Sequence, residues 1–139
     1  MTRDEIIKME AGDELNTLIA QHIFGFKEIG QPKDYDGKYG GMPVLVPPGL
    51  SGGYIWPPKG LVNRNFFCRA WSSKIFYAWE VVEMIGAMGK RAEFYDAFNS
   101  INGELLWPDL TSAQFSLAIC RAALLAVFEE IKKKEGQSK

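Results

Sequence analysis

Cysteine and histidine are scarce in this sequence, whose 139 residues include Cys68, Cys120 and a single histidine, His22. Two cysteines cannot form the disulfide framework of a small secreted domain, and these two lack the close spacing and histidine partners of a zinc site. We therefore expect both thiols to be reduced and structural. His22 falls on the apolar face of a predicted helix, so no convincing Ser/His/Asp or Cys/His arrangement remains. We predict that the protein is not an enzyme and holds neither a metal ion nor a cofactor.

Neither a surplus of charge nor a long apolar run is present. The 16 basic and 17 acidic residues give a net charge of −1, whereas nucleic-acid-binding proteins usually carry a basic surplus. The longest apolar run, Leu117–Phe128, is interrupted by Arg121 and is too short to span a bilayer. The charged start, Met1–Glu5, is not followed by the apolar segment of a signal peptide. We expect a soluble intracellular protein with neither a nucleic-acid nor a membrane partner.

Apolar residues, at 47% of the chain, are sufficient for one packed domain over residues 1–139. Within it, half of the positions between Gly37 and Gly60 are glycine or proline, which excludes a regular helix and a central strand. Apolar and aromatic residues are interspersed there, unlike in disordered segments. We predict a long ordered loop over about residues 30–64, with short strands at Val44–Val46 and Tyr54–Trp56.

Helix signals are clear in the first part of the chain. Thr2 followed by Glu5 is a capping-box pattern, because the threonine hydroxyl can accept a hydrogen bond from a free backbone N–H. A bend is expected at Gly12. The helix that follows it is expected to end at Gly25, because glycine adopts positive φ at low cost.

A second helical region lies in the middle of the chain. Aromatic residues within Asn65–Trp71 favour a strand that leads into a helix capped by Ser72 or Ser73. Apolar residues then recur at three- and four-residue intervals from Ile75 to Ile85. Gly86 and Gly89 are expected to end this helix.

The last third of the chain combines an ambiguous and a clear segment. Residues 92–107 contain aromatic residues at helical spacing, but Asn102-Gly103 is a strong hairpin signal, and the hairpin is favoured over the helix. Thr111 with Gln114 forms a second capping-box pattern. Leu117–Phe128 is apolar nearly all round, which indicates a helix buried on most of its surface and running on to three lysines.

Three segments of the chain share a pattern with a known family. They are Met1–Ile7 with Met9–Gly12, Glu14–Leu15 and Phe24–Phe26; Ala78–Glu83; and Leu117–Val127. In this order they resemble the phage ABA sandwich domain, a family of small proteins from bacteriophages and prophages. Members commonly place Tyr-Ser-Thr-Asp before the second helix, whereas this chain has Trp71-Ser72-Ser73-Lys74, so no acidic site is carried over.

The resemblance implies a fold and a setting but no reaction. The expected fold is α+β, a three-layer α/β/α sandwich with a small, mainly antiparallel sheet and a buried C-terminal helix. The expected setting is a phage protein in the cytoplasm of the bacterial host.

A cluster of basic and aromatic residues around the start of the middle helix is the candidate binding site. Its residues are Tyr54, Trp56, Arg64, Arg69, Trp71, Ser72, Ser73 and Lys74. A helix N-terminus presents free N–H groups to an anion, basic side chains add charge-assisted hydrogen bonds, and aromatic faces can stack on a base. The competing interpretation is a capped helix beside an aromatic core, with arginines on the surface.

Two functions are compatible with these features. The first is a non-enzymatic sponge that sequesters a nucleotide-derived host immune signal, such as a cyclic ADP-ribose derivative, with the glycine- and proline-rich loop closing over this small ligand. Symmetric assembly is expected in that case, so the protein is predicted to be a homo-oligomer. The alternative is a protein-interaction or structural accessory protein that uses Trp56 and neighbouring aromatic residues as anchors.

Overall fold

The structure, a computed structural model, describes residues 1–30, 43–49, 64–102 and 110–137. In these ranges the elements are α1 (Arg3–Lys8), α2 (Asp13–His22), β1 (Lys27–Gly30), β2 (Pro43–Val46), α3 (Ile75–Ala87), α4 (Arg91–Asn102), α5 (Ser112–Ala126) and α6 (Phe128–Gln137). The strands β1 and β2 pair antiparallel, so this part of the chain combines helices with a small two-stranded sheet. The predicted α+β class is confirmed.

Helix α5 lies at the centre of the fold. Helices α1, α2, α3 and α4 all contact it, and most of its residues from Ser116 to Ala126 are buried. Its predicted capping box is present, since the Thr111 hydroxyl accepts from the Gln114 N–H at 3.2 Å and the Gln114 carbonyl oxygen accepts from the Thr111 N–H at 2.9 Å. The predicted burial of the Leu117–Phe128 run is confirmed, but the helix that contains most of it, α5, is followed by α6 and is not the C-terminal helix.

The helix does not run on to the lysines as predicted, because it breaks at Val127 and α6 leaves at an angle of 59°. The break contains neither proline nor glycine, which are frequent causes of kinks. Instead, the first turn of α6 packs into the core through Phe128 and Ile131. Burying two such side chains stabilises the bend by several kcal/mol, about 1.5–3 kcal/mol each. Tertiary packing, which the local sequence does not encode, therefore sets the bend.

The segment before α3 differs from the prediction. Residues 64–67 form a turn and residues 68–70 have no regular structure, so the predicted strand over Asn65–Trp71 is wrong. Lys74, and neither Ser72 nor Ser73, is the N-cap of α3, and its side chain makes no capping hydrogen bond. Gly89, with φ of +73°, follows the end of α3.

The favoured hairpin at Asn102-Gly103 is wrong over the part that the structure describes, because Arg91–Asn102 is helical. Phe94, Phe98 and Ile101 recur at helical spacing and pack against the core, beside α5. This long-range packing outweighs the local turn preference of the Asn-Gly pair. Residues 103–109 lie outside the described ranges.

The small sheet confirms the predicted strand at Val44–Val46, whereas β1 was not predicted. In the antiparallel register Lys27 pairs with Val46 and Ile29 with Val44. Val44 and Val46 are buried against Phe67, in a cluster separate from the main core. The predicted strand at Tyr54–Trp56, and the predicted loop apart from residues 43–49 and its ends, lie outside the described residues.

Buried and partly buried hydrogen bonds join α2 to the segment before α3. The Asn16 carboxamide oxygen accepts from the Ser72 N–H at 3.0 Å and from the Ser72 hydroxyl at 2.8 Å. The Ser72 hydroxyl oxygen in turn accepts from the Gly12 N–H at 3.0 Å. At the other end of the segment, the Thr17 hydroxyl donates to the Asn65 carboxamide oxygen at 2.9 Å. We call this network the α2 clamp, since it fixes the chain at both ends of the approach to α3.

Replacing Asn16 with alanine tests the α2 clamp. We expect Asn16→Ala to lower the free energy of unfolding by about 1–3 kcal/mol, because it leaves the buried Ser72 N–H without its acceptor. Urea denaturation followed by circular dichroism measures the change. Asn99→Ala, an exposed site in α4, is the matched control, and we expect its effect to stay within about 0.5 kcal/mol. Equal effects of the two substitutions would contradict a structural role for Asn16.

The Lys90–Glu130 ion pair, with 2.8 Å between Nζ and Oε1, predicts a pH dependence. The hydrogen bond from Lys90 holds the pKa of Glu130 below its usual value, and the same bond raises the pKa of Lys90. The pair therefore stabilises the fold between the ordinary glutamate and lysine pKa values. Its contribution is lost as the pH falls through the lowered pKa of Glu130 or rises through the raised pKa of Lys90.

We expect the difference in unfolding free energy between the parent and Glu130→Gln to be largest near neutral pH. The difference should shrink in acid, because Glu130 becomes protonated and loses its charge. It should also shrink at high salt, because the pair is solvent-accessible and its attraction is screened. Denaturation curves across pH measure this difference. Glu129→Gln, which removes a looser contact of 3.9 Å to Arg3, is the control. A difference for Glu130→Gln that is constant from acid to neutral pH would refute the assignment.

Candidate functional site

Trp71, the central aromatic residue of the predicted site, lies in the core. Its side chain is only 2% exposed. The Phe24 ring stacks on it at 4.9 Å between centroids, and the Phe26 ring meets it edge-on at 5.9 Å. Its ring is therefore covered by other residues of the same chain and offers no open face for a base.

The two serines of the predicted site have different surroundings. Ser72 is fully buried, and the α2 clamp uses both its hydroxyl and its N–H. Ser73 and Lys74 are exposed at the start of α3. Of these residues, only Ser73 and Lys74 are placed to meet a ligand from solvent.

The two arginines pair with acids on different elements. The Arg64 Nε lies 2.8 Å from the Glu28 carboxylate of β1. The Arg69 guanidinium lies 3.5 Å from the Glu80 carboxylate of α3 and also over the Tyr77 ring, at 5.3 Å from its centroid. Arg69 therefore lies against the first two turns of α3, whereas Arg64 is tied to the small sheet.

The described residues of the predicted site therefore do not form one cluster and lie in three separate places. Arg69, Ser73 and Lys74 line the exposed start of α3, Trp71 and Ser72 lie in the core, and Arg64 belongs to the sheet. Tyr54 and Trp56 lie outside the described residues. Among the described residues, the predicted cluster is reduced to a basic rim at the start of α3.

Among the described residues, the most exposed large apolar side chains are aromatic residues outside the predicted site. Phe76 is 75% exposed, Tyr95 of α4 is 62% exposed and Trp79 is 45% exposed. The buried positions of α3 are Ala78, Val81 and Ile85, and Phe76 is out of phase with them. A large aromatic residue out of phase with the apolar period was the signal in the sequence that could have identified this surface.

Trp79 is supported from below by a chain of rings. Its centroid lies 5.7 Å from the Phe115 ring at the start of α5, and Phe115 lies 5.5 Å from Phe98. Phe98 stacks on Phe94 at 5.9 Å, inside the core. The exposed indole is thus the outer end of a packed aromatic series.

Acidic side chains are exposed on α3 and α4 beyond the basic rim that adjoins Phe76. Glu83, Glu93 and Asp96 are exposed, and no ion pair joins any of them to another described residue. Arg91 is the basic residue within α3 and α4, and its guanidinium lies beside Gly86 in the last turn of α3. Helices α3 and α4 contact each other, and both pack on α5. We call the exposed residues Phe76, Trp79, Glu83, Tyr95 and Asp96 the outer face of α3 and α4.

The thiols are poor nucleophiles. Both cysteines are free, as predicted. Burial raises the pKa of Cys68 to about 11 and that of Cys120 to about 12, so both stay protonated at neutral pH. His22 is half-buried at the end of α2. Within the described ranges, no group of three or more His, Cys, Asp or Glu side chains could hold a metal ion.

The chain was compared with known proteins at three levels. No protein family, no curated protein and no solved structure matches it. The resemblance to the phage ABA sandwich domain rests on three segments of this chain and stays a prediction. Over the described ranges, none of the helices taken singly has the length and apolar character needed to cross a membrane.

Substitutions of Trp71 test whether its ring belongs to the core. We expect Trp71→Ala to lower the free energy of unfolding by about 3–5 kcal/mol, as for other buried aromatic residues. Trp71→Phe should cost roughly 1–2 kcal/mol, because it keeps a ring against Phe24 and removes an Nε1–H that has no acceptor among the described residues. Urea denaturation measures both values.

Trp79→Ala is the matched control for Trp71→Ala. Its ring is half exposed, so its loss of stability should be clearly smaller. A Trp71→Ala protein as stable as the parent would place the Trp71 ring outside the core and make it available to a ligand again.

Proposed function

We propose that this chain is a non-enzymatic protein-interaction protein that docks a partner on the outer face of α3 and α4. The observation that carries the proposal is the exposure of Phe76, at 75%, on the same helix as the half-exposed Trp79. Their spacing of three residues puts both rings on one side of α3. Covering the Phe76 ring removes apolar surface from water, which favours association by up to about 1.5–3 kcal/mol before the entropic cost of binding, and the half-exposed Trp79 adds less.

The supporting packing favours recognition over accidental exposure. Aromatic residues dominate the binding energy of protein interfaces, particularly where they are held in place before binding. Phe115 holds the Trp79 ring from below, and the α2 clamp fixes the segment that leads into α3. A partner would therefore meet anchors that are already ordered.

A nucleotide-derived ligand is the second candidate function, and the start of α3 favours it. Lys74 caps the helix without a side-chain hydrogen bond, and no acidic residue occupies its first turn. The free N–H groups there suit an anion, with Arg69 and Ser73 beside them and the Phe76 ring in the first turn. In this version the protein is a homo-oligomeric sponge for a host immune signal of the cyclic ADP-ribose type.

The cellular location proposed for both candidate functions rests on the resemblance to phage proteins. We propose on that basis that the chain acts in the cytoplasm of a bacterial host. The same resemblance is the basis for proposing that the α+β fold is arranged in three layers, with helices on both sides of the sheet.

Site-specific photo-crosslinking tests the interaction proposal. Phe76 is replaced by p-benzoylphenylalanine, and the protein is irradiated in host bacterial cells. We expect a discrete crosslinked product that is lost when Trp79→Ser is added, because the two rings share the contact. The same photoreactive residue at the exposed Lys8 of α1 is the control. Products that are identical at both positions, or none at position 76, would rule out the outer face as the docking site.

Calorimetry with a nucleotide panel that includes cyclic ADP-ribose derivatives tests the second candidate. Binding tighter than roughly millimolar that Lys74→Glu abolishes, and that Phe76→Ser weakens, would favour the sponge. Lys132→Glu, an exposed lysine on α6, is the charge-matched control. The absence of binding across the panel would exclude the nucleotide sponge and leave protein interaction as the remaining candidate function.

A further inference from the structure

We propose that the partner segment is basic and amphipathic, and that it reaches the outer face as a helix with apolar and cationic residues on one side. This inference rests on the proposed interaction function and adds the chemistry of the partner. It starts from Glu83, which follows Trp79 by four residues and therefore lies next to it on the surface of α3. Glu83 is exposed and has no ion pair with another described residue.

The charge of this surface differs from that of the whole chain. The sequence as a whole is almost neutral, at −1. Helices α3 and α4 contain the acids Glu80, Glu83, Glu93 and Asp96 against one base, Arg91, a difference of 1 − 4 = −3. Glu80 is paired with Arg69, and the remaining acids still outnumber Arg91 and Lys74, the exposed N-cap residue of α3. A partner with positive charge is therefore attracted to this face.

Two basic side chains flank the helices, Lys74 at the N-cap of α3 and Lys90 before α4. Lys74 precedes Glu83 by nine residues, about 13 Å along the axis of α3, so it does not pair with that carboxylate. Lys90, in the turn between α3 and α4, is bound to Glu130 of α6 at 2.8 Å. The lysines of α6, Lys132 to Lys134, belong to a different element, and Lys132 lies over the Phe128 ring at 5.3 Å. The carboxylates of Glu83 and Asp96 therefore remain available to an incoming cation.

Aromatic rings beside carboxylates select cations in two ways. A guanidinium or ammonium group can lie over the exposed face of Trp79 while it pairs with Glu83 one turn further on. An apolar neighbour in the same segment can cover Phe76. An anionic segment would meet like charges at Glu83 and Asp96, so the same surface rejects it.

Designed peptides provide the test. The probe is a fluorescein-labelled helical peptide of about 18 residues, long enough to match α3, with leucines and lysines interspersed on one side and neutral polar residues on the other. Its counterpart replaces each lysine with glutamate. Fluorescence anisotropy at about 50 and about 300 mM salt measures binding, because screening separates charge from apolar contributions.

We expect the lysine peptide to bind and the glutamate peptide not to bind. The double variant Glu83→Gln/Asp96→Asn should bind the lysine peptide about fivefold more weakly and with less dependence on salt. Phe76→Ser/Trp79→Ser should abolish binding. Glu5→Gln/Glu14→Gln, at exposed sites on α1 and α2, is the charge-matched control and should bind like the parent. Circular dichroism checks that each variant is folded.

Three outcomes would overturn the inference. Equal binding of both peptides that Phe76→Ser/Trp79→Ser abolishes would remove the charge preference and leave the proposed interaction face in place. Undiminished binding of the lysine peptide to Phe76→Ser/Trp79→Ser would place the basic segment elsewhere on the molecule. Failure of the lysine peptide to bind, together with a positive photo-crosslink at position 76, would exclude a basic partner but retain the interaction function.

Discussion

The carboxamide of Asn16 is the constraint on which the position of α3 depends. One oxygen accepts two hydrogen bonds from Ser72, whose hydroxyl oxygen accepts the Gly12 N–H. The bend between α1 and α2 and the entry to α3 are thereby fixed to each other across about sixty residues of sequence. Buried polar groups of this kind add specificity when every member is satisfied. The orientation of the exposed rings of α3 depends on this network and on the packing of α3 against α5.

Features determined by nearby residues could be predicted from the sequence, and features set by distant contacts could not. The Thr111–Gln114 capping box and the buried run of α5 are local patterns, and both are present in the structure. The helix at Arg91–Asn102 depends on packing against α5, which a local Asn-Gly signal does not reveal. The bend at Val127 likewise depends on where Phe128 and Ile131 are buried.

The candidate site shows the same division. Basic and aromatic residues cluster in sequence before α3, but sequence proximity does not state which rings face solvent. Trp71 fills the space between Phe24 and Phe26, whereas Phe76, five residues later, faces outward. The pairing of Arg69 with Glu80 and Arg64 with Glu28 also requires tertiary contacts. Only the phase of Phe76 relative to the buried positions of α3 was visible beforehand.

The position of Phe115 ties the order of the outer face to the end of another helix. Phe115 follows the capping box of α5 directly and supports both Trp79 and Phe98. Fraying of that first turn would release the ring beneath the indole without altering any exposed residue. If the proposed partner binds there, the entropy lost on immobilising Trp79 would therefore depend on a helix cap outside the contact surface.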